Sequence, residues 1–254
     1  MVDGENMAGY RDLFVVSSAL VTAYGLMPTA DRVQQTLQTL HSIRVSASAA
    51  DIVVLELSRE RIPDEYEQMF LQAGARLVMH FSNHAAVQRN YQICSPERDP
   101  AGSSIKNLNE ITAMQAFLQW CLGNQFLQTY RRVFKISGRY SLCEPFHQEL
   151  YQQEGFKERC AFLRLNNSYL DTATSGSFSY MYMTRLWSFD PVLLPKLEVW
   201  FEVMLDLLVK RYEAGGYTDI EHLLAVVIPR KYCVYLDKVG VQGLIGLHGQ
   251  RVVE

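Results

Sequence analysis

Residues 131–142 read RRVFKISGRYSL. Phe134 and Ile136 form the apolar body of a strand, and Ser137-Gly138-Arg139-Tyr140 ends it in a small cationic corner. Two readings fit this stretch. The strand can simply turn, because a glycine after a strand is ordinary turn chemistry and Arg139 can pair with a surface acid. Alternatively, the corner presents backbone and a guanidinium to an anionic ligand. The chain on either side weighs between them.

Upstream, DLFVVSSAL (12–20) is a short apolar run that opens into Ser, Thr, Gly and Pro as far as Pro28, the pattern of a buried first strand and a loop. Val33, Leu37, Leu40 and Ile43 then fall at helical spacing. DIVVLELS (51–58) predicts a second strand. Pro63 and Asp64 start a short helix with Tyr66, Met69, Phe70 and Ala73 on its apolar face, closed by Gly74. ARLVMHF (75–81) is a third strand. SPERDPAGSSIKNLN (95–109) reads as an exposed connection, after which Ile111, Met114, Phe117, Leu118, Leu122 and Phe126 trace a long helix that feeds VFKIS. Strands separated by single helices imply right-handed crossovers and a mainly parallel sheet with helices on both faces. Ligands of such sheets bind beyond the carboxyl ends of the strands. That rule selects the loop Ser17 to Pro28, Glu56 and Ser58, the stretch Ser82 to Asn90, and the 137–140 corner.

Downstream the pattern changes. CAFLRL, SFSYMYMTRLWSF and KYCVYL predict strands of a mixed or antiparallel part. Leu197, Trp200, Phe201, Met204, Leu205 and Leu208 define an amphipathic helix between Val192 and Tyr212, and YTDIEHLL starts a last short one.

The 254 residues, 48% of them hydrophobic, suffice for one α/β domain with a sizeable core. A net charge of −3 without a Lys/Arg block argues against a nucleic-acid partner, so any anion site is local. The five cysteines form no CxxC pair and no cluster at zinc-ligand spacing, and are read as reduced. The polar start MVDGENMAGYRD does not read as a signal peptide, and no stretch reaches the roughly 18 to 20 apolar residues of a membrane span. The expectation is a soluble, cytoplasmic protein. Neither GxGxxG after the first strand nor a Walker A loop is present, and no pattern specifies an oligomeric state.

Four segments together, FVVSSALVTAYG, DRVQQTLQTLHSIRVSASAADIVVLELS, ITAMQAFLQWCLGN…FKISGRY and YTDIEHLL…IP, resemble the GT-A fold of nucleotide-sugar glycosyltransferases, in particular small enzymes of viral and bacterial surface-glycan synthesis. The resemblance covers most of the chain. It implies a single GT-A-like, Rossmann-like domain with a nucleotide-sugar half (12–142) and an acceptor half (143–254). It also implies a hexosyl- or pentosyltransferase that moves a sugar from a nucleoside-diphosphate sugar, UDP-linked by preference, to a glycan hydroxyl. The rival readings are a catalytically silent glycan- or nucleotide-binding module and another nucleotide-dependent transferase.

In that family the central strand usually ends in Asp-X-Asp, which holds a divalent metal on the donor diphosphate. Here the equivalent corner is Ser137-Gly138-Arg139, so no metal ligand is assigned and dependence on Mn or Mg stays open. The resemblance instead gives the leaving diphosphate to Arg139 with Lys135, gives Gly138 close backbone approach, and adds Ser17, Ser18 and Ser137 to the donor site. Glu56 is a candidate for the donor's base or ribose, against a solvated strand end. His248, Gly-flanked and followed by Arg251, is a candidate for the metal or the diphosphate; His80, His84 and His222 lack ligand spacing. Thr218 to Glu221 reads as a capping box. An acid opening a late GT-A helix often serves as base in inverting transfer, so Glu221, ahead of Asp219, is the catalytic candidate. Arg185, Trp187 and Tyr182 are candidates for the acceptor side, with core packing the alternative for the aromatics. Asp171 to Ser179 is a candidate lid.

Overall fold

The structure, a computed structural model, describes residues 11–22, 27–94, 102–171, 174, 178–245 and 250–254. Strand β1 (Arg11–Ser18) leads to helix α1 (Thr29–Ser46), then β2 (Asp51–Glu56), α2 (Asp64–Gln72), β3 (Leu77–His80), α3 (Ala85–Ile93) and α4 (Ser103–Asn124). There follow β4 (Tyr130–Ser137), β5 (Tyr140–Leu142), β6 (Cys160–Asn167), β7 (Tyr180–Phe189), α5 (Leu194–Glu213), α6 (Ile220–Val227), β8 (Cys233–Leu236), β9 (Val241–Ile245) and β10 (Gln250–Val253). Seven strands form one sheet in the order β3-β2-β1-β4-β7-β6-β8. The first four are parallel, and β7 joins antiparallel to β4, so the sheet runs through both halves of the chain. A small antiparallel sheet, β10-β9-β5, lies beside it.

The central strands are continuous apolar runs because both their faces are covered. Leu13, Val15, Val53, Leu55 and Val133 pack on the side of α4, α5 and α6, whereas Phe14, Val16, Ile52, Val54, Phe134 and Ile136 pack on the side of α1 and α2. Phe14 stacks on Phe134 with centroids 4.8 Å apart and planes 12° apart. Burying each such ring contributes about 1.5–3 kcal/mol. Lys135 alternates with Phe134 and Ile136 and so turns to the α4 side, where a lysine needs a partner.

The expected strands and the helices α1, α2, α5 and α6 are present, and Gly74 ends α2 at φ +100°. Two stretches differ from the sequence reading. Helix α4 begins at Ser103, inside the segment read as an exposed connection, because Ile105 and Leu108 continue the buried period of Ile111 backwards through polar neighbours. The stretch Ser82 to Asn90, expected only as a ligand-side segment after the third strand with no helix assigned to it, is largely helix α3, held by Val87 in the core and by Asn90, whose amide donates to Asn109 (3.1 Å) and Thr112 (3.0 Å). The short strands β5, β9 and β10 carry too little apolar pattern to be read from sequence.

Strand β5 is set against α1 by hydroxyls three residues apart. Thr36 Oγ1 lies where a Cβ on Gly138 would approach to 3.0 Å, Thr39 Oγ1 donates to Tyr140 O (2.7 Å), and Leu142 N donates to Ser42 Oγ (2.9 Å). One helix face thus fixes alternate residues from 138 to 142.

Candidate active site

The carboxyl ends of β1 and β4 lie side by side, with Ser17 opposite Ser137 and Gly138 N donating to Ser17 O at 2.8 Å. A Cβ at Gly138 would also lie 3.2 Å from that carbonyl. Packing of the two strand ends against α1 is thus by itself enough to call for a glycine here.

Helix α4 brings Lys106 and Glu110, one turn apart, to the same place. Glu110 Oε1 accepts from Lys135 Nζ at 2.5 Å and from Ser17 Oγ at 3.4 Å. Burial alone would raise the Glu110 pKa, but the charges of Lys135 and Lys106 outweigh it and hold the carboxyl at about 2. Lys135 is thus occupied by Glu110 and is not a free cation.

Arg139 stands differently. Among the described residues it makes no ion pair, and its guanidinium lies 5.8 Å from the ring centroid of Tyr140. Lys106 is exposed at the surface, yet desolvation by the surrounding protein, then the charge of Arg139, lowers its pKa. On α1, Arg32 donates to two carbonyls, Ala19 O (3.2 Å) and Met27 O (3.3 Å), and burial followed by Arg139 lowers its pKa as well. The charge of Arg139 thus opposes both Lys106 and Arg32, and none of the three has a carboxylate within ion-pair distance among the described residues, although Glu110, Glu221 and Asp219 act on Lys106, and Glu56 on Arg32, at longer range. Like charges held together in this way suit a multiply charged anion.

Across the cleft, the start of α6 supplies two acids. Asp219, not Thr218, is the N-cap: its Oδ1 accepts from His222 N (3.0 Å) and lies 2.5 Å from His222 Nδ1, while Oδ2 accepts from Tyr169 OH (2.5 Å). The carboxylate is the stronger acceptor for helix-terminal amides, so it displaces the expected capping box by one residue and leaves the Thr218 hydroxyl buried without a partner among the described residues. Glu221 accepts from Thr184 Oγ1 at 3.0 Å and from its own backbone N–H. Burial and then the Asp219 charge raise the Glu221 pKa, against Lys106. The Asp219 pKa is lowered even though burial opposes this, because His222 and Tyr169 donate to it. Two acids two residues apart are thus pushed in opposite directions, the usual sign of divided roles.

The remaining candidates separate clearly. Ser18 is buried and faces Thr36 (3.4 Å). Glu56 is buried, not a solvated strand end: its Oε1 takes Leu20 N (3.2 Å), Ser58 N (2.9 Å) and Ser58 Oγ (2.5 Å), bracing the loop after β1, while Oε2 has no partner among the described residues. Arg185 pairs with Glu254 and lies 5.8 Å from the Tyr140 ring. Tyr182 and Trp187 do not floor a cleft; both stack on Phe162 inside the core, at 4.3 and 5.6 Å. The two faces of β7 are both covered at these positions, which alternation alone does not reveal. His248 lies outside the described residues, as do 172, 173 and 175–177 of the candidate lid. Sequence reading missed Arg32, Lys106, Glu110 and Thr184; the helical period running back to Ile105 was the available signal for the α4 pair.

The corner residues do not fit a divalent cation. Ser137 and Arg139 stand where a carboxylate pair would be needed, and the nearby acid Glu110 is already neutralised by Lys135. Among the described residues no group of three His, Cys, Asp or Glu side chains is placed to hold a metal. A cavity of about 510 Å³ lined by Glu144, Arg164, Met183, Asp237, Lys238 and Glu254 lies apart from the three cations.

No protein-family model matches the chain, and no curated protein matches it in sequence. Solved structures do. The mannosyltransferase Ktr4p from S. cerevisiae superposes with a TM-score of 0.56 at 9% identity, covering 92% of this chain and 71% of its own. Core-mannan synthase A (CmsA/Ktr4) from Aspergillus fumigatus, in its Mn/GDP form, gives 0.53 at 7% identity, covering 94% and 76%. The galactosyltransferase LgtC, in complex with donor and acceptor sugar analogs, gives 0.50 at 10% identity, covering 88% and 72%. The chain has the GT-A fold of nucleotide-sugar glycosyltransferases. No described helix is long and apolar enough to cross a membrane.

Proposed function

We propose that the chain is a glycosyltransferase that moves a sugar from a nucleoside-diphosphate sugar, UDP-linked by the sequence expectation, to a hydroxyl of a glycan acceptor. The observation that carries this reading is the set of three cations, Arg139, Lys106 and Arg32, none of them in a close ion pair among the described residues, with Arg139 at the end of β4 acting on both of the others. Their charge complements a diphosphate, and preorganised cations stabilise charge that grows on the leaving group as the glycosidic bond breaks. In this reading they take the place of the divalent metal.

Glu221 acts as the base. Its carboxylate removes the acceptor proton while the acceptor oxygen attacks the anomeric carbon from the face opposite the departing diphosphate, so the configuration inverts. Glu110 and Lys135 form the fixed, neutral floor of the site, and Asp219 stays ionised. Ser17 and Ser137 flank the diphosphate, and the unpartnered Oε2 of Glu56 is available to a hydroxyl or ring N–H of the nucleoside.

A screen of UDP-, GDP- and CMP-sugars by thermal shift and by nucleotide release, with manganese and with chelator, tests the reading. It expects stabilisation by one nucleotide class and release that survives chelation. No shift with any of them overturns it.

A further inference from the structure

Tyr169 presents a contradiction that packing does not resolve. Its side chain is one of the most exposed large apolar groups described, at 66%, yet its hydroxyl is fixed 2.5 Å from the buried carboxylate of Asp219. The ring meets His222 edge-on, with centroids 5.5 Å apart at 65°. His222 is itself fully buried and held at both nitrogens, by Asp219 at 2.5 Å and by Ser168 Oγ at 2.8 Å. Ser168 in turn is tied by N–H donation to Ser179 O (2.9 Å). An exposed aromatic ring normally gains nothing from being immobilised. Here three residues from the end of β6 and the start of α6, Ser168, Asp219 and His222, hold one open ring face still, and Asp219 is two residues from Glu221.

We infer that Tyr169 is a platform on which the apolar face of an acceptor pyranose ring stacks, with the Asp219–His222–Ser168 chain as the device that fixes its tilt. C–H groups on one face of a hexose match an aromatic face, and a ring already ordered binds without further loss of side-chain freedom. The inference replaces Tyr182 and Trp187, which lie in the core, and places the sugar hydroxyls within the neighbourhood of Glu221. It rests on the transferase reading for its role, but its measurement does not.

Saturation-transfer NMR of the full chain with the methyl glycosides of glucose, galactose and mannose, as separate probes, reads sugar contact directly. Transfer to the ring protons of at least one probe is expected. Tyr169→Ala should abolish it, and Tyr169→Phe, which keeps the ring but frees it, should weaken binding about three- to tenfold. His222→Gln, which keeps one polar contact, should resemble Tyr169→Phe. No transfer from the parent chain to any probe overturns the inference, and so does unchanged transfer in Tyr169→Ala. Nucleotide-induced thermal shifts in the same samples are independent. Their absence with sugar contact intact would remove the transferase reading and leave a sugar-binding surface; their presence with no sugar contact would remove the platform alone.

Discussion

The Arg139 guanidinium lies near enough to Lys106 for its charge to lower the lysine pKa, and neither cation has a carboxylate within ion-pair distance among the described residues. Glu110, Glu221 and Asp219 offset part of this repulsion at longer range, and a bound diphosphate would offset the rest. Arg139→Ala should weaken nucleoside-diphosphate affinity by about 10- to 100-fold, the loss of a charged hydrogen bond of roughly 1.5–3 kcal/mol. It should leave the thermal midpoint of the free protein unchanged or raised. Lys106→Met should act in the same direction, and isothermal titration with the nucleotide measures both. Unaltered affinity in the double variant would locate the diphosphate elsewhere.

Glu221→Gln should keep nucleotide binding and lose transfer by about 10² to 10⁴, the range expected of a positioned general base. A carboxyl whose folded pKa is raised destabilises the folded state once it ionises, so the same substitution should raise the thermal midpoint at neutral pH, not lower it. For the parent, the acid limb of kcat should lie above the ordinary glutamate value of about 4.3. Rates at several pH values, with circular-dichroism melts on the same samples, check all three.

The ion pair of Lys135 and Glu110 is predicted to be structural. Lys135→Met strands a buried carboxylate and should cost about 3–5 kcal/mol, and adding Glu110→Gln should recover much of it. Because the Glu110 pKa is depressed to about 2, its contribution is complete above the unfolded value of about 4.3 and fades as pH falls towards 2. In Lys135→Met the loss should begin at higher pH. Denaturant melts between neutral and acid pH provide the comparison.

Trp187→Ala should cost about 3–5 kcal/mol of stability through the cavity it leaves beside Phe162 and Phe201. Acceptor and donor KM of the folded fraction should not move. A rise confined to acceptor KM, with stability intact, would return this residue to the cleft.

Much of the fold was legible because long apolar periods survive in a single sequence: β1, β2, β4 and the helices α1 and α5 announce themselves. The strand ends that place Ser17 beside Ser137 and lead on to Arg139 were legible too. What escaped was chemistry carried by residues whose neighbours point the other way. Lys106 and Glu110 sit in a polar stretch whose helical period rests on Ile105 and Leu108. The cap at α6 turned on one residue: Asp219 competes better than Thr218 for the same amides, and no spacing rule states the winner. Tyr182 and Trp187 were ambiguous by nature, because strand alternation says which residues share a face and not whether that face is covered.

The hydroxyls of Thr36, Thr39 and Ser42 have one more effect. Thr39 and Ser42 bond Tyr140 and Leu142 to α1, and Thr36 packs against Gly138, so the segment after the corner is ordered before anything binds there. Calorimetry of nucleotide association should therefore carry little entropic penalty from this segment, and amide exchange at Leu142 should be slow in the free protein.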